Sequence, residues 1–205
     1  IAKENLIEEV EKQFHSKEAN EAAEKGYNSE KEKFSLKKKA NKISIMTGSQ
    51  GIAEGAINSK IDLYLSYPMT PATPVLHELA SKQEKNGFMV FQPENEIAVA
   101  NAGLGASFSG ARVMIGTSGG GFDLMTEALS LQGQTEIPLV VYLASRPGPS
   151  TGLPTYTSQG DLDVALRAGH GEFPRIVIAP GDPIECVEKT NEAFYLSEKF
   201  NCLSI

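Results

Sequence analysis

A few residues of this chain have types and spacings that could do chemistry. Glu94 and Glu96 flank Asn95 ahead of a stretch in which nearly every residue is small or apolar, Ile97-Ala98-Val99-Ala100-Asn101-Ala102-Gly103-Leu104-Gly105-Ala106. A carboxylate that opens a helix complements its macrodipole and caps free N–H groups. Two acids exceed that need. If Glu96 lies on the buried face, loss of water disfavours its charged form, giving a carboxyl that can hold or donate a proton near neutral pH. Thr70 and Thr73 stand in the proline-stiffened run Tyr67-Pro68-Met69-Thr70-Pro71-Ala72-Thr73-Pro74. There Thr73 reads as a helix N-cap with Pro74 at the first helical position, which leaves Thr70 without a structural job. Thr117-Ser118-Gly119-Gly120-Gly121-Phe122 is a glycine loop whose N–H groups could approach a ligand. It has neither the lysine of a phosphate-binding loop nor the spacing of a dinucleotide fingerprint. Arg146 opens a long Gly/Pro/Thr segment running to Leu162, and it suits a planar anion such as a carboxylate or an ion pair with Asp161 or Glu94.

The elements that must position these residues read as a βα rhythm from Ile43 onward. Strands are expected at Ile61–Ser66, Phe88–Gln92, Ala111–Gly116, Leu139–Ala144, Arg175–Ala179 and Asn201–Ile205. Helices are expected at Ser49–Ser59, Pro74–Gln83, Glu96–Ser109, Asp123–Gln132 and Pro183–Lys199, the third of them buried on more than one side. Strands apolar almost throughout, such as Leu139-Val140-Val141-Tyr142-Leu143-Ala144, suit a parallel sheet covered on both faces. The fold class is therefore α/β, a three-layer sandwich around a mainly parallel sheet. In such domains ligands bind beyond the carboxyl ends of the strands, where the loops above lie.

Residues 1–42 differ in composition, holding 10 Lys and 9 Glu. Leu6, Val10 and Phe14 form a narrow apolar stripe on one charged helix that Gly26 and Asn28 end, and Glu30–Lys42 reads as a charged linker. The whole chain of 205 residues has 19 Lys and Arg against 26 Asp and Glu, a net charge of -7, which argues against a nucleic-acid partner. No apolar run approaches the roughly 20 residues of a membrane helix. Ile1-Ala2-Lys3-Glu4 has no signal-peptide order, so a cytoplasmic protein is expected, read as a piece of something longer. Cys186 and Cys202 lack metal-ligand spacing, and His15, His77 and His170 are scattered, so no metal cluster is expected in this segment.

In order and spacing, Tyr67-Pro68-Met69-Thr70-Pro71, Glu94-Asn95-Glu96, Thr117-Ser118-Gly119 and Gly148-Pro149-Ser150-Thr151-Gly152-Leu153-Pro154-Thr155 through Ser158-Gln159-Gly160-Asp161 resemble the alpha subunit of 2-oxoacid:ferredoxin oxidoreductases. The resemblance covers about residues 43–205. It implies a pyrimidine-binding domain of the thiamine diphosphate type, continuing past Ile205, with residues 1–42 as the tail of a fused, preceding gamma-like domain. It implies an enzyme that oxidatively decarboxylates a 2-oxoacid to the acyl-coenzyme A and passes electrons to ferredoxin. A partner beta subunit would share thiamine diphosphate and hold magnesium and an iron–sulfur cluster. Glu96 falls at the family's glutamate facing N1′ of the aminopyrimidine. A proton shared there favours the imino tautomer, whose nitrogen can take the thiazolium proton. By the same carry-over, Tyr67, Pro68, Thr117, Ser118 and Gly119 line the cofactor pocket. Thr70 stands beside the reacting centre, and Arg146 and Thr155 hold the substrate carboxylate. The Tyr-Pro-Met-Thr-Pro-Ala-Thr-Pro form favours the 2-oxoglutarate or broad 2-oxoacid branch. Three departures stand out: Ser118-Gly119-Gly120-Gly121-Phe122 lacks the family's proline, which implies a looser loop; Arg146-Pro147-Gly148-Pro149 replaces Arg-Gly-Gly-Pro; and Gly48-Ser49-Gln50-Gly51 replaces Gly-Asn-Glu-Ala. The competing readings are a non-catalytic acyl- or nucleotide-binding module that uses the glycine loop as an anion nest, and an assembly domain with Thr70, Glu96 and Arg146 pointing apart.

Overall fold

The computed structural model describes residues 2–30 and 45–205. The chain divides into two compact units, Ile1–Ser44 and Ile45–Ile205. In the first, α1 (Lys3–Phe14) and α2 (Lys17–Ser29) replace the single expected helix. The break falls at His15, whose φ of 45° leaves the helical region, and Ser16 then caps α2 by accepting the N–H of Ala19. Helix α2 runs through Gly26 and Asn28, which were expected to end the first helix. Lys3 pairs with Glu24, and Asn20 donates to Glu11, so the two helices run antiparallel. Most of the expected linker, including Lys37-Lys38-Lys39, lies outside the described residues.

The second unit is an α/β three-layer sandwich. In chain order its elements are α3 (Gly48–Asn58), β1 (Leu63–Ser66), α4 (Thr73–Asn86), β2 (Met89–Phe91), α5 (Glu96–Phe108), β3 (Val113–Ser118), α6 (Gly119–Thr135), β4 (Leu139–Ala144), α7 (Leu162–Arg167), β5 (Arg175–Ile176), α8 (Pro183–Phe200) and β6 (Leu203–Ser204). The six strands are all parallel, in the order β2-β1-β3-β4-β6-β5. Side chains alternate across the sheet, as strand geometry requires. Leu65, Ile115 and Val141 pack with Val99, Leu104, Phe122, Met125 and Leu129 of α5 and α6. Tyr64, Met114 and Val140 pack with Ala53, Leu79 and Phe194 of α3, α4 and α8. No helix among the described residues is long and apolar enough to cross a membrane.

Several elements depart from expectation. Strand β3 continues through Thr117 and Ser118, both buried, and α6 starts at Gly119, so the glycine loop is a strand end joined directly to a helix. The Ser118 hydroxyl makes this possible by donating to Ala144 O at 2.7 Å. Thr73 is inside α4 and Ala72 takes the N-cap place. The Thr73 hydroxyl donates to Met69 O at 2.9 Å, a carbonyl that also accepts the N–H groups of Ala72 and Thr73. Helix α5 buries one face only: Ile97 and Phe108 are exposed, because the described residues cover its inner side alone. Helix α7 was not anticipated. Gly48-Ser49-Gln50-Gly51 opens α3, where Thr47 and Gln50 form a capping box.

Candidate functional site

Strand β1 leads through α4 on one face of the sheet to β2, whereas the neighbouring β3 leads through α6 on the other face to β4. Adjacent strands whose connections part to opposite faces leave a crevice at their carboxyl ends, the usual ligand position in such sheets. A cavity of about 440 Å³ opens there. Its lining includes Pro68 and Thr70 after β1, Ser118 and Gly119 at the β3–α6 junction, and Arg146 after β4. Five expected site residues thus meet on one cavity, against the arrangement that points Thr70 and Arg146 apart. A slightly larger hollow, about 520 Å³, lies at the opposite ends of the strands. Its Arg112 is already paired with Glu198, at 2.9 Å from Nη2 to Oε2, and none of the expected site residues lines it.

The walls of the crevice are tied together by hydroxyls. Ser66 at the end of β1 donates to Gly116 O of β3 at 2.9 Å, and Ser118 bridges β3 to β4. The proline-rich turn is locked through Met69 O as described, which leaves Thr70 exposed and, among the described residues, without a hydrogen-bond partner. Tyr67 is exposed and, unlike the adjacent Pro68, does not line the cavity. Thr155 is exposed and outside the cavity, one residue beyond Pro154, which lines it.

Arg146 is anchored by three bonds to the chain around it. Its backbone N–H reaches Asp161 Oδ2 at 3.1 Å, Nε donates to Pro154 O at 3.0 Å, and a terminal nitrogen donates to Ser145 O at 2.9 Å. Asp161 therefore meets Arg146 through the backbone. Among the described residues no carboxylate pairs with the guanidinium, which is the one cation lining the cavity. Its remaining N–H donors are left for an anion.

Glu96 lies one layer deeper. It is the first residue of α5, with Asn95 as N-cap accepting the N–H of Ala98 at 2.8 Å, and it is only 5% exposed. Among the described residues its carboxylate has no hydrogen-bond or ion-pair partner, although charged groups this buried are normally paired. It packs with Thr117 over the backbone of Gly121. A Cβ added at Gly121 would lie 2.2 Å from Thr117 Oγ1 and 2.8 Å from Glu96 Oε1. The two preceding glycines line the cavity, so Glu96 and Thr117 back the helix turn that faces it.

Each glycine at the start of α6 is matched to a neighbour. A Cβ at Gly119 would fall 2.7 Å from Asp161 Oδ1, and one at Gly120 would meet the Thr151 methyl at 3.3 Å. The chain's own Asp161 carboxylate thus lies against Gly119, the first residue of the apparent anion nest. Sequence reasoning reached Asp161 only as a possible partner for Arg146. Its signal, an acid closing the long loop just ahead of α7, was there to be read. Among the described residues no three His, Cys, Asp or Glu side chains converge as a metal site.

Comparison with known proteins shows the family. The family described as pyruvate flavodoxin/ferredoxin oxidoreductase, thiamine diP-bdg, matches residues 54–204. The 2-oxoglutarate synthase subunit KorA of Archaeoglobus fulgidus is 38% identical over 159 residues, 78% of this chain and 46% of that protein. The 2-oxoacid:ferredoxin oxidoreductase 1 subunit alpha of Aeropyrum pernix is 36% identical over 199 residues, 94% of this chain and 31% of that protein. This chain therefore spans about a third to a half of the length of these relatives. A solved 2-oxoglutarate:ferredoxin oxidoreductase from Magnetococcus marinus, with 2-oxoglutarate, coenzyme A and succinyl-CoA bound, superposes with a TM-score of 0.85 and 33% identity, covering 100% of this chain and 38% of that one. With a cavity at the strand switch point and a matching family over most of its length, this chain belongs to the thiamine diphosphate-binding family of pyruvate flavodoxin/ferredoxin oxidoreductases.

Proposed function

We propose that this chain is the pyrimidine-binding part of an alpha subunit of a thiamine diphosphate-dependent 2-oxoacid:ferredoxin oxidoreductase. The reaction converts a 2-oxoacid and coenzyme A to the acyl-coenzyme A and carbon dioxide, with two electrons passing to ferredoxin. The observation that carries this reading is Glu96, a carboxylate 5% exposed and without a partner among the described residues. Such a group fits a ring nitrogen supplied from outside the chain, with which its Oε atoms can share a proton. When bound, thiamine diphosphate supplies the electron sink for decarboxylation.

The other residues take roles that follow from their places. Pro68, Ser118 and Gly119 line the cavity where the cofactor would lie, Tyr67 stands next to Pro68, and Thr117 packs with Glu96 over Gly121 behind it. Thr70 offers an uncommitted hydroxyl to the reacting centre. Arg146 receives the substrate's carboxylate, and Thr155 follows the Pro154 carbonyl that holds the guanidinium, so its hydroxyl is available to the same anion. 2-Oxoglutarate is the favoured substrate, supported by the substrate named for the relatives in Archaeoglobus fulgidus and Magnetococcus marinus. This reading assigns magnesium and an iron–sulfur cluster to a partner beta subunit that completes the site.

Residues 1–42 read as the end of a preceding gamma-like domain. Support comes from the two kinds of relative: one matches 78% of this chain, while the longer alpha subunit matches 94%. The alternative, an acyl- or nucleotide-binding module, needs an open anion nest at the start of α6, and the negative Asp161 carboxylate lies against its first glycine.

The test uses the full-length subunit co-expressed with its beta partner, comparing wild type with Glu96→Gln. Thiamine diphosphate binding and 2-oxoglutarate-dependent reduction of ferredoxin or a viologen are measured. A fall in turnover of about 10²–10⁴-fold in Glu96→Gln is expected, the usual range for a lost acid–base group. Undiminished turnover in Glu96→Gln overturns the role given to Glu96, while a complex that folds but neither binds thiamine diphosphate nor turns over overturns the reading and favours the binding module.

A further inference from the structure

Asp161 sits where three parts of the site meet. Its Oδ2 accepts the N–H of Arg146, two residues past the end of β4. Its Oδ1 lies 2.7 Å from where a Cβ on Gly119 would be, so the carboxylate rests on the first residue of α6. It also occupies the N-cap place of α7, yet its side chain caps nothing there. A carboxylate present only to start α7 would turn toward that helix's free N–H groups. This one turns away from them, toward β4 and α6.

The start of α6 needs such a group. Ser118, its N-cap, makes no side-chain cap because its hydroxyl is committed to Ala144 O. The first N–H groups of α6 and the positive end of its dipole therefore face the cavity beside Arg146, and a bare helix start is attractive to anions. With Asp161 in place, Arg146 remains the one cationic group of the lining, accompanied only by the carboxylates of Asp123 and Asp161.

The geometry points to Asp161 as a positioning residue for the substrate, an inference that rests on the reading of Arg146 as the substrate's carboxylate anchor. By accepting the Arg146 N–H it fixes where that residue leaves the sheet. By seating its negative charge against Gly119 it disfavours a second anion at the start of α6, and the substrate's carboxylate is left to Arg146. The substrate is thereby held in one orientation.

The experiment uses the full-length subunit with its partner, with Asp161→Asn, Asp161→Ala and Arg146→Gln assayed for 2-oxoglutarate KM and kcat. Inorganic phosphate serves as the probe anion, and bound thiamine diphosphate is quantified in each variant. Asp161→Ala is expected to raise KM about tenfold, more than it lowers kcat, the factor that one modest lost interaction carries. It should also make phosphate a competitive inhibitor. Asp161→Asn keeps an oxygen for the Arg146 N–H but drops the charge. It should recover most of the KM while remaining phosphate-sensitive, a pattern that a merely structural role would not give. Arg146→Gln should raise KM without gaining phosphate sensitivity. If Arg146→Gln raises KM but both Asp161 variants match wild type in KM and phosphate response, the inference is overturned and the anchor reading stands. Wild-type KM in Arg146→Gln overturns the anchor reading and the inference with it.

Discussion

Two adjacent glycines make opposite predictions. Gly120→Ala places a methyl 3.3 Å from the Thr151 Cγ2 atom, on an exposed loop residue that can yield by a few tenths of an ångström. Replacing Gly by Ala inside a helix gains about 0.5–1 kcal/mol. Gly121→Ala makes the same backbone gain, but its methyl would lie 2.2 Å from Thr117 Oγ1 and 2.8 Å from Glu96 Oε1. Neither neighbour can move cheaply, because Thr117 is 0% and Glu96 5% exposed. Overpacking of this kind costs about 1–3 kcal/mol. Subtracting the helix gain leaves Gly121→Ala destabilised by up to about 2.5 kcal/mol. In a domain of this size that corresponds to up to roughly 10 °C in Tm. Thermal melting of the full-length subunit with its partner gives the stability, and titration with thiamine diphosphate gives the affinity. Gly120→Ala should melt no lower than wild type and bind the cofactor as tightly. Gly121→Ala should melt lower and bind more weakly, since the displaced group is Glu96. Equal behaviour of the two variants would refute the packing of Glu96 and Thr117 on α6, and with it the place given to Glu96.

Tyr64 is fully buried against Gly116, and among the described residues its hydroxyl has no hydrogen-bond partner. Removing an unsatisfied buried hydroxyl relieves its desolvation, so Tyr64→Phe should be neutral or stabilising by up to about 1 kcal/mol in urea unfolding; a loss beyond that would show a bond the structure lacks. Burial pushes the Cys186 thiol up, with Asp182 and Glu185 adding to it, and burial does the same to Cys202. A raised thiol pKa means less thiolate at any given pH. Both cysteines should therefore alkylate more slowly than free cysteine at pH 8, as read by mass-spectrometric mapping of the two peptides. Rapid labelling of native Cys186 would contradict its environment.

Legibility in the sequence followed the strength of the local signal. The run Leu139–Ala144 is a strand with the bounds expected of it, because an uninterrupted apolar stretch between turn residues has few other homes in an α/β domain. The β3–α6 junction was misplaced for the opposite reason. Thr117, Ser118 and three glycines read locally as a loop. Yet the hydroxyl of Ser118 is satisfied by β4, and the glycines are demanded by Asp161, Thr151, Thr117 and Glu96, partners distant in sequence. Tertiary contacts overrode propensity there. Thr73 looked like a cap because Thr-Pro is good helix-start chemistry. Met69 O instead recruited its hydroxyl and moved the start back by one residue. Among the candidate residues, Thr70, Glu96, the glycine run and Arg146 were singled out as loops or helix starts after strands, whereas Tyr67, Pro68 and Thr155 took their places only from the family resemblance. Asp161 needed the fold, since its meaning lies in being beside both Gly119 and Arg146.

Under the proposed function, the lone carboxylate of Glu96 is where this chain calls for a group from outside. Buried polar groups are normally hydrogen-bonded, and among the described residues Glu96 has no partner. The start of α5 favours a carboxylate by typically about 0.3–1 kcal/mol, but among the described residues nothing donates to its oxygens. In that reading a ring nitrogen brought by the cofactor would supply the missing partner. A domain built only for packing would place an apolar residue at position 96, in a helix where Val99, Ala100 and Leu104 are already buried. Retaining a carboxylate there makes sense as preparation for a ligand. In the inference drawn above, Asp161 is the reverse case, a negative charge against Gly119 at a spot the ligand should ignore.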